Sequence, residues 1–272
     1  MKQFFLLIFI GWTSSLFSQA PDGNPSTFTS LGSGNWNVSG TWDLVSGSDT
    51  DGIPDGDDYV TISNHDVTVT AAAGFGHLEF IASGNNEPTL TINSGVSLTG
   101  YDTDEDGAIT FTANGPNKIT SPTTTTTFDI NAGTVSCTSL SITTAESNAH
   151  AAFNIKNGGT LTIDDNLTLV RSVADTEILI DAGSIGTGNT LNLGGAIIGI
   201  DTDQGVIDMG SSSGVSTFNF NGTSAQTIQF DIPTDLIYSD IQVSNTTGVT
   251  LESASASANF TGDLTILAGG VF

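Results

Sequence analysis

One six-residue phrase returns at a fixed interval in the middle of this chain. Phe128-Asp-Ile130-Asn131-Ala-Gly133 is answered by Phe153-Asn-Ile155-Lys156-Asn-Gly158 and then by Ile178-Leu-Ile180-Asp181-Ala-Gly183, each starting 25 residues after the last. Apolar residues at i and i+2 share one face of a strand, and the residue between them faces the other way. The closing glycine marks a turn through positive φ, which a side chain would resist. A strand-and-turn unit recurring at this period is the mark of a solenoid. Between the phrases, Leu140 and Ile142 correspond to Leu167 and Leu169, then to Leu191 and Leu193, so the corners vary while the strands persist. The expectation is an all-β parallel β-helix, or β-solenoid, with Ile130, Ile155 and Ile180 in one column. Roughly 215 residues at about 24 per coil give about nine coils.

Composition agrees with strands and corners. Thr, Ser, Asn, Val and Ile dominate, and 32 of the 272 residues are glycine. Asp outnumbers Glu 23 to 6, as suits turns rather than helices. The alternation of apolar and polar residues argues against disorder, which acidic Ser/Thr/Gly-rich chains otherwise favour.

Residues 1–20 read as a secretory signal peptide: Lys2, an apolar run from Phe4 to Ile10, then Ser18-Gln19-Ala20. No other apolar run is long enough for a membrane helix, so no membrane insertion is expected, and the chain is expected to be secreted or held at the cell surface. Four basic residues against 29 acids give a formal net charge of −25. That balance excludes nucleic acid as a partner and disfavours an anionic membrane surface. Divalent cations are a natural way to relieve such self-repulsion.

Residues 21–57 differ in texture, with Trp36 and Trp42 in a Gly/Ser/Asn-rich segment before the first clear strand, Tyr59 to Ile62. A solenoid needs an end cap over its first coil, and two large aromatics suit that purpose. Stacking of a sugar on these rings is the alternative. Residues 58–272 are read as the solenoid. The single cysteine, Cys137, alternates with Val135 and reads as a buried small hydrophobe.

The opening Gly34-Asn-Trp36, Gly40-Thr-Trp42, Asp51-Gly-Ile-Pro54, Asp57-Asp58-Tyr-Val60-Thr-Ile62 and His65-Asp-Val67-Thr-Val69 resembles the entry into large secreted bacterial β-solenoid surface proteins. So do the later stretches Phe218-Asn-Phe220-Asn-Gly222 through Ile228, Tyr238 through Leu251, and Phe260 through Gly269. That resemblance implies an adhesin-like role and cargo of the type IX secretion route, with cell-surface or matrix glycans or proteins as partners. The sorting domain of that route is missing here. Together with Leu264-Thr-Ile266 through Val271-Phe272, where an anchor phrase is followed by a new strand and no cap, this leads us to expect the N-terminal part of a longer protein.

Calcium is the one ligand the residues propose. Asp49, Asp51, Asp55, Asp57 and Asp58 fall within ten residues, in a loop that looks like those of thrombospondin type 3 repeats. Asp102, Asp104 and Asp106, followed by Gly107, match the first half of an EF-hand or dockerin loop, where alternate carboxylates wrap a hard cation. The twelfth position is Ala113, so the bidentate acid is absent, and a solvated acidic corner is the alternative for both loops.

No enzyme is expected. Only Lys118, Lys156 and Arg171 could serve as a lyase base, Asp164-Asp165 is the only adjacent acid pair in the coil region beyond the Asp102 to Asp106 loop, and His65, His77 and His150 stand alone. The competing reading is a carbohydrate-binding or polysaccharide-cleaving β-helix. An ice-binding face needs threonine at a fixed place in successive coils, whereas Thr123 to Thr127 are consecutive and read as a loop entering Phe128.

Overall fold

The computed structural model describes residues 20–83, 86, 88–103, 105–114, 126–145, 149–171, 177–182, 188–199, 206–209, 216–228, 236–251 and 262–272. The signal-peptide segment before residue 20, Asp104, Lys118 and Thr123 to Thr125 lie outside them. Among the described residues, no helix is long and apolar enough to cross a membrane.

The chain winds as a β-solenoid with three faces, each an eight-stranded sheet, here A, B and C. Successive strands visit A, B and C in turn. Tyr59–Ser63, Val67–Val69 and Ala73–Phe75 make one such coil, and His77–Ser83, Thr89–Ile92 and Ser97–Gly100 make the next. Strands within a sheet pair in parallel, with Trp42–Ser46 the one antiparallel strand among the described residues. Among the described residues no sheet is more than eight strands deep, and one strand of sheet A belongs to the N-terminal segment. The coil count therefore falls short of the nine expected, because coils are longer than 24 residues in places: Phe128 is the coil partner of Leu90, 38 positions earlier.

Alternation builds the core. Within Thr126–Asn131 the residues are buried in alternation, and Phe128 and Ile130 are fully enclosed. The Phe128 and Phe153 rings stack at 4.3 Å along sheet B, Phe128 meets Phe80 edge-on across the interior, and Phe80 packs against Phe111, its neighbour in sheet A. Aromatics in adjacent coils so form a continuous apolar column.

The register departs from the sequence reading in the third phrase. Ile130 pairs with Ile155, as the repeat implies. Ile180, however, pairs with Phe153, and Ile178 with Ala151. Leu140 and Ile142 do pair with Leu167 and Leu169. Leu191 instead stacks on Leu161 in sheet C, and Ile197 takes the place over Leu167. A slip of two residues leaves every side chain on its own face, so alternation cannot detect it.

The glycines divide by cause. Gly158 has φ +86°, as expected of a turn, but beside Gly133 it is Ala132 that has positive φ. Gly133 is required by crowding: a Cβ there would lie 2.7 Å from the Asn93 carbonyl oxygen.

The N-terminal segment caps the stack and also begins it. Thr27–Ser30 pairs in parallel with Tyr59–Ser63, and Gly34–Asn35 with Val67–Val69. Trp36 and Trp42 are buried edge-to-face, 5.0 Å apart. The Trp42 indole donates to the Trp36 carbonyl (2.7 Å) and the Trp36 indole to that of Pro54 (3.3 Å). Rings held in this way close the core and leave no face for a sugar.

Candidate metal centre

The acidic loop after Trp42–Ser46 folds back over this cap. Its start is shaped by its own backbone: the Asp49 carboxylate accepts from the N–H groups of Asp51 (3.0 Å) and Gly52 (2.6 Å), and that of Asp51 from Ile53 (2.8 Å). These are the local turns that aspartate favours.

Asp55, Asp57 and Asp58 sit deeper and are all buried. Asp57 accepts from the N–H groups of Asp22 (3.2 Å) and Gly23 (2.8 Å). Asp58 accepts from Ser26 and from Asp55, both at 2.8 Å. The Asp57 N–H donates to Asp55 at 3.2 Å. The carbonyl of Asp58 accepts from Gly76 and His77, in the following coil. The Asp57 and Asp58 carboxyls thus hold residues 22–26, and the Asp58 carbonyl links them to the following coil.

Carboxylate oxygens of Asp55, Asp57 and Asp58 lie within 4.8 Å of one another, as do those of Asp22, Asp49 and Asp55. Burial pushes the Asp55 carboxyl up to about 8, aided by its hydrogen bond to Asp57 and by the Asp58 and Asp57 charges. Burial likewise carries Asp58 up to about 7, against the N–H groups of Asp55 and Ser26 that favour its charge. For Asp57 burial also acts upward, but its bonds with Asp55, Asp22 and Gly23 outweigh it and hold the carboxyl low. Such a cluster needs protons or a cation at neutral pH. An all-oxygen donor set can hold a hard metal ion.

The structure brings Asp49, Asp55, Asp57 and Asp58 together and leaves Asp51 outside both groups. It adds Asp22, which sequence reasoning missed; its only signal was an Asp-Gly turn pair, and the loop it serves lies some 30 residues on.

The second predicted loop is a corner between Ser97–Gly100 and Ile109–Asn114. Asp102 is exposed, and Asp106 turns to its neighbours, accepting from the Ala108 N–H and meeting His77 Nδ1 at 2.7 Å. The His77 ring stacks on Tyr59 at 4.7 Å. Among the described residues, neither acid joins a metal-competent group.

The other candidates resolve into structural roles. Lys156 pairs with Asp129 at 2.9 Å, and His65 Nδ1 meets the Ser30 hydroxyl at 2.9 Å. Cys137 is buried, and burial pushes its thiol well above the usual range. Asp164 and Asp165 line a polar cleft of about 390 Å³ with Asn166, Gly194, Gly195 and Gln226. It lies where sheet A stops at Ile197–Ile198 and a separate two-stranded sheet starts at Gln226–Ile228. The buried Gln226 amide bridges the break, donating to the carbonyls of Leu193 (2.7 Å) and Gly195 (2.9 Å). Its oxygen accepts from the Gly222 N–H and the Asn245 amide, both at 2.8 Å.

Comparison with family models, with curated proteins and with solved structures finds no match to this chain.

Proposed function

We propose that this chain is an extracellular β-solenoid with a structural or adhesive role, and that calcium stabilises its N-terminal cap. The observation that carries the reading is the buried Asp55–Asp57–Asp58 group, which bonds to Asp22, Gly23 and Ser26 on one side and to Gly76 and His77 on the other. A cation there would neutralise the carboxyls at the joint on which the cap depends. Calcium suits the site better than magnesium, because it accepts 6 to 8 oxygens at irregular angles. The remainder of the chain supports a scaffold: hydrogen-bonded ladders, a continuous core, and Lys156 engaged by a carboxylate.

Chelation should lower the melting temperature of the full chain, and calcium should restore it. Asp55→Asn with Asp57→Asn should abolish the response. An unchanged melting curve on chelation and on calcium addition would overturn the calcium reading.

A carbohydrate-binding role is the second reading, favoured by the cleft beside Asp164 and Asp165. Its walls offer carboxylates, amides and backbone groups, and among the described residues no lysine or arginine lines it, so the fit is to a neutral sugar held by hydrogen bonds. Titration with neutral oligosaccharides, with Asp165→Ala as control, tests this reading.

A further inference from the structure

The outward face of sheet C carries a pattern that neither the cap nor the cleft uses. Ser97, Thr134, Thr160, Thr190 and Thr217 are successive parallel partners and form one column. Thr99, Ser136, Thr162, Asn192 and Asn219 form a second. In each strand the two flank a buried apolar residue, from Leu98 to Phe218, so both point away from the core. These ten outward positions hold threonine, serine and asparagine, and no charge; the next partners along the sheet, Asp240 and Gln242, end the array. The chain carries 29 acids. Corresponding positions on sheet B include Asp129, Lys156 and Asp181, and those on sheet A include Glu79.

Neighbouring strands lie about 4.8 Å apart and alternate residues about 6.6 Å apart, so the hydroxyls and amides occupy a two-dimensional lattice. Part of it is locked by its own hydrogen bonds. Asn192 donates to the Thr162 hydroxyl (3.1 Å), Asn219 to the Asn192 oxygen (2.9 Å), and the Ser244 hydroxyl to the Asn219 oxygen (2.9 Å). Asn219 is 8 % exposed and anchors the end of the array.

We propose that this face binds ice. A lattice of contacts rewards a periodic partner, and an array of five strands without charge suits a neutral one. Each threonine offers a hydroxyl that holds a water and a methyl that fills the space beside it. Charged side chains would impose hydration shells of their own, and the ten positions before Asp240 have none. No aromatic ring lies in the two columns, so the stacking that a crystalline polysaccharide would use is not provided. Side chains already held by their neighbours lose little freedom on contact. Of the consecutive threonines, the two described ones lie elsewhere: Thr126 is buried, and Thr127 lies on sheet B beside Asp129.

The test is ice growth in solutions of the full chain. The protein should facet single ice crystals and hold them from growing below the melting point. Thr160→Lys with Thr190→Lys should abolish both effects while the melting curve stays cooperative. Thr160→Val with Thr190→Val is the alternative should the lysines prevent folding. Thr112→Lys with Thr143→Lys, on the outward face of sheet A, should leave ice shaping intact. Unfaceted growth with the parent protein, or undiminished shaping by the folded sheet C variants, overturns the proposal. So does loss of shaping in the folded sheet A control. Retention on microcrystalline cellulose or chitin without ice shaping would assign the face to a polysaccharide instead.

Discussion

Phe153 is the coil partner of Ile180, while its ring stacks on Phe128 at 4.3 Å with 17° between the planes. The column Leu90, Phe128, Phe153, Ile180 and Ile207 runs along the inside of sheet B through five strands. Phe153→Ala should cost about 3–5 kcal/mol, since the ring is fully buried and the stacked coils cannot collapse around its absence. A double-mutant cycle with Ile180→Ala should show a coupling of about 0.5–3 kcal/mol in denaturant unfolding. Coupling to Ile178→Ala as large as that to Ile180→Ala would mean that the register is the one implied by the 25-residue spacing.

Trp42→Ala should destabilise the cap by about 3–5 kcal/mol. It removes the ring packed on Trp36 and the donor to the Trp36 carbonyl. Hydrogen exchange should then rise first in Thr27–Ser30 and Tyr59–Ser63, the strands next to the cap. Uniform protection across the chain in the variant would contradict a capping role.

Gln226 satisfies four partners with one amide across the interrupted sheet. Replacing it with leucine leaves the buried Gly222 N–H and the part-buried Gly195 carbonyl without that partner, while the Leu193 carbonyl keeps the Asn221 N–H. A buried group left unsatisfied costs about 1–3 kcal/mol. Gln226→Leu should therefore be more damaging than Thr227→Val at the exposed neighbour, measured by thermal unfolding. Equal stability of the two variants would remove the bridging role.

In chelator, stability should fall as pH rises. Asp55 and Asp58 have their carboxyls raised from the ordinary 3.8 to about 8 and about 7, so between pH 4 and 8 the folded state binds more protons than the unfolded one. Stability then declines across that window and has lost this contribution once pH passes the folded values. Calcium, by taking the place of the protons, should flatten the profile. Melting curves in chelator at about pH 5 and about pH 8.5 provide the comparison; a higher melting temperature at the alkaline end would contradict the buried, protonated cluster.

Much of this protein is local and therefore legible in the sequence. Alternation of apolar and polar residues determined the strands, the inward residues and the solenoid class, because each strand reports its own facing residues. The two tryptophans marked a buried N-terminal segment, and adjacency alone placed Asp55, Asp57 and Asp58 in one loop. The tertiary structure decided what depends on how coils of unequal length superpose. It set Ile180 over Phe153, moved Leu191 from one sheet to another, and brought Asp22 to residues 35 positions away. It also aligned Thr134, Thr160, Thr190 and Thr217. The physical reason is common to all four: a two-residue slip or a longer corner keeps every side chain on its own face, so only hydrogen bonding between coils selects which residues become neighbours.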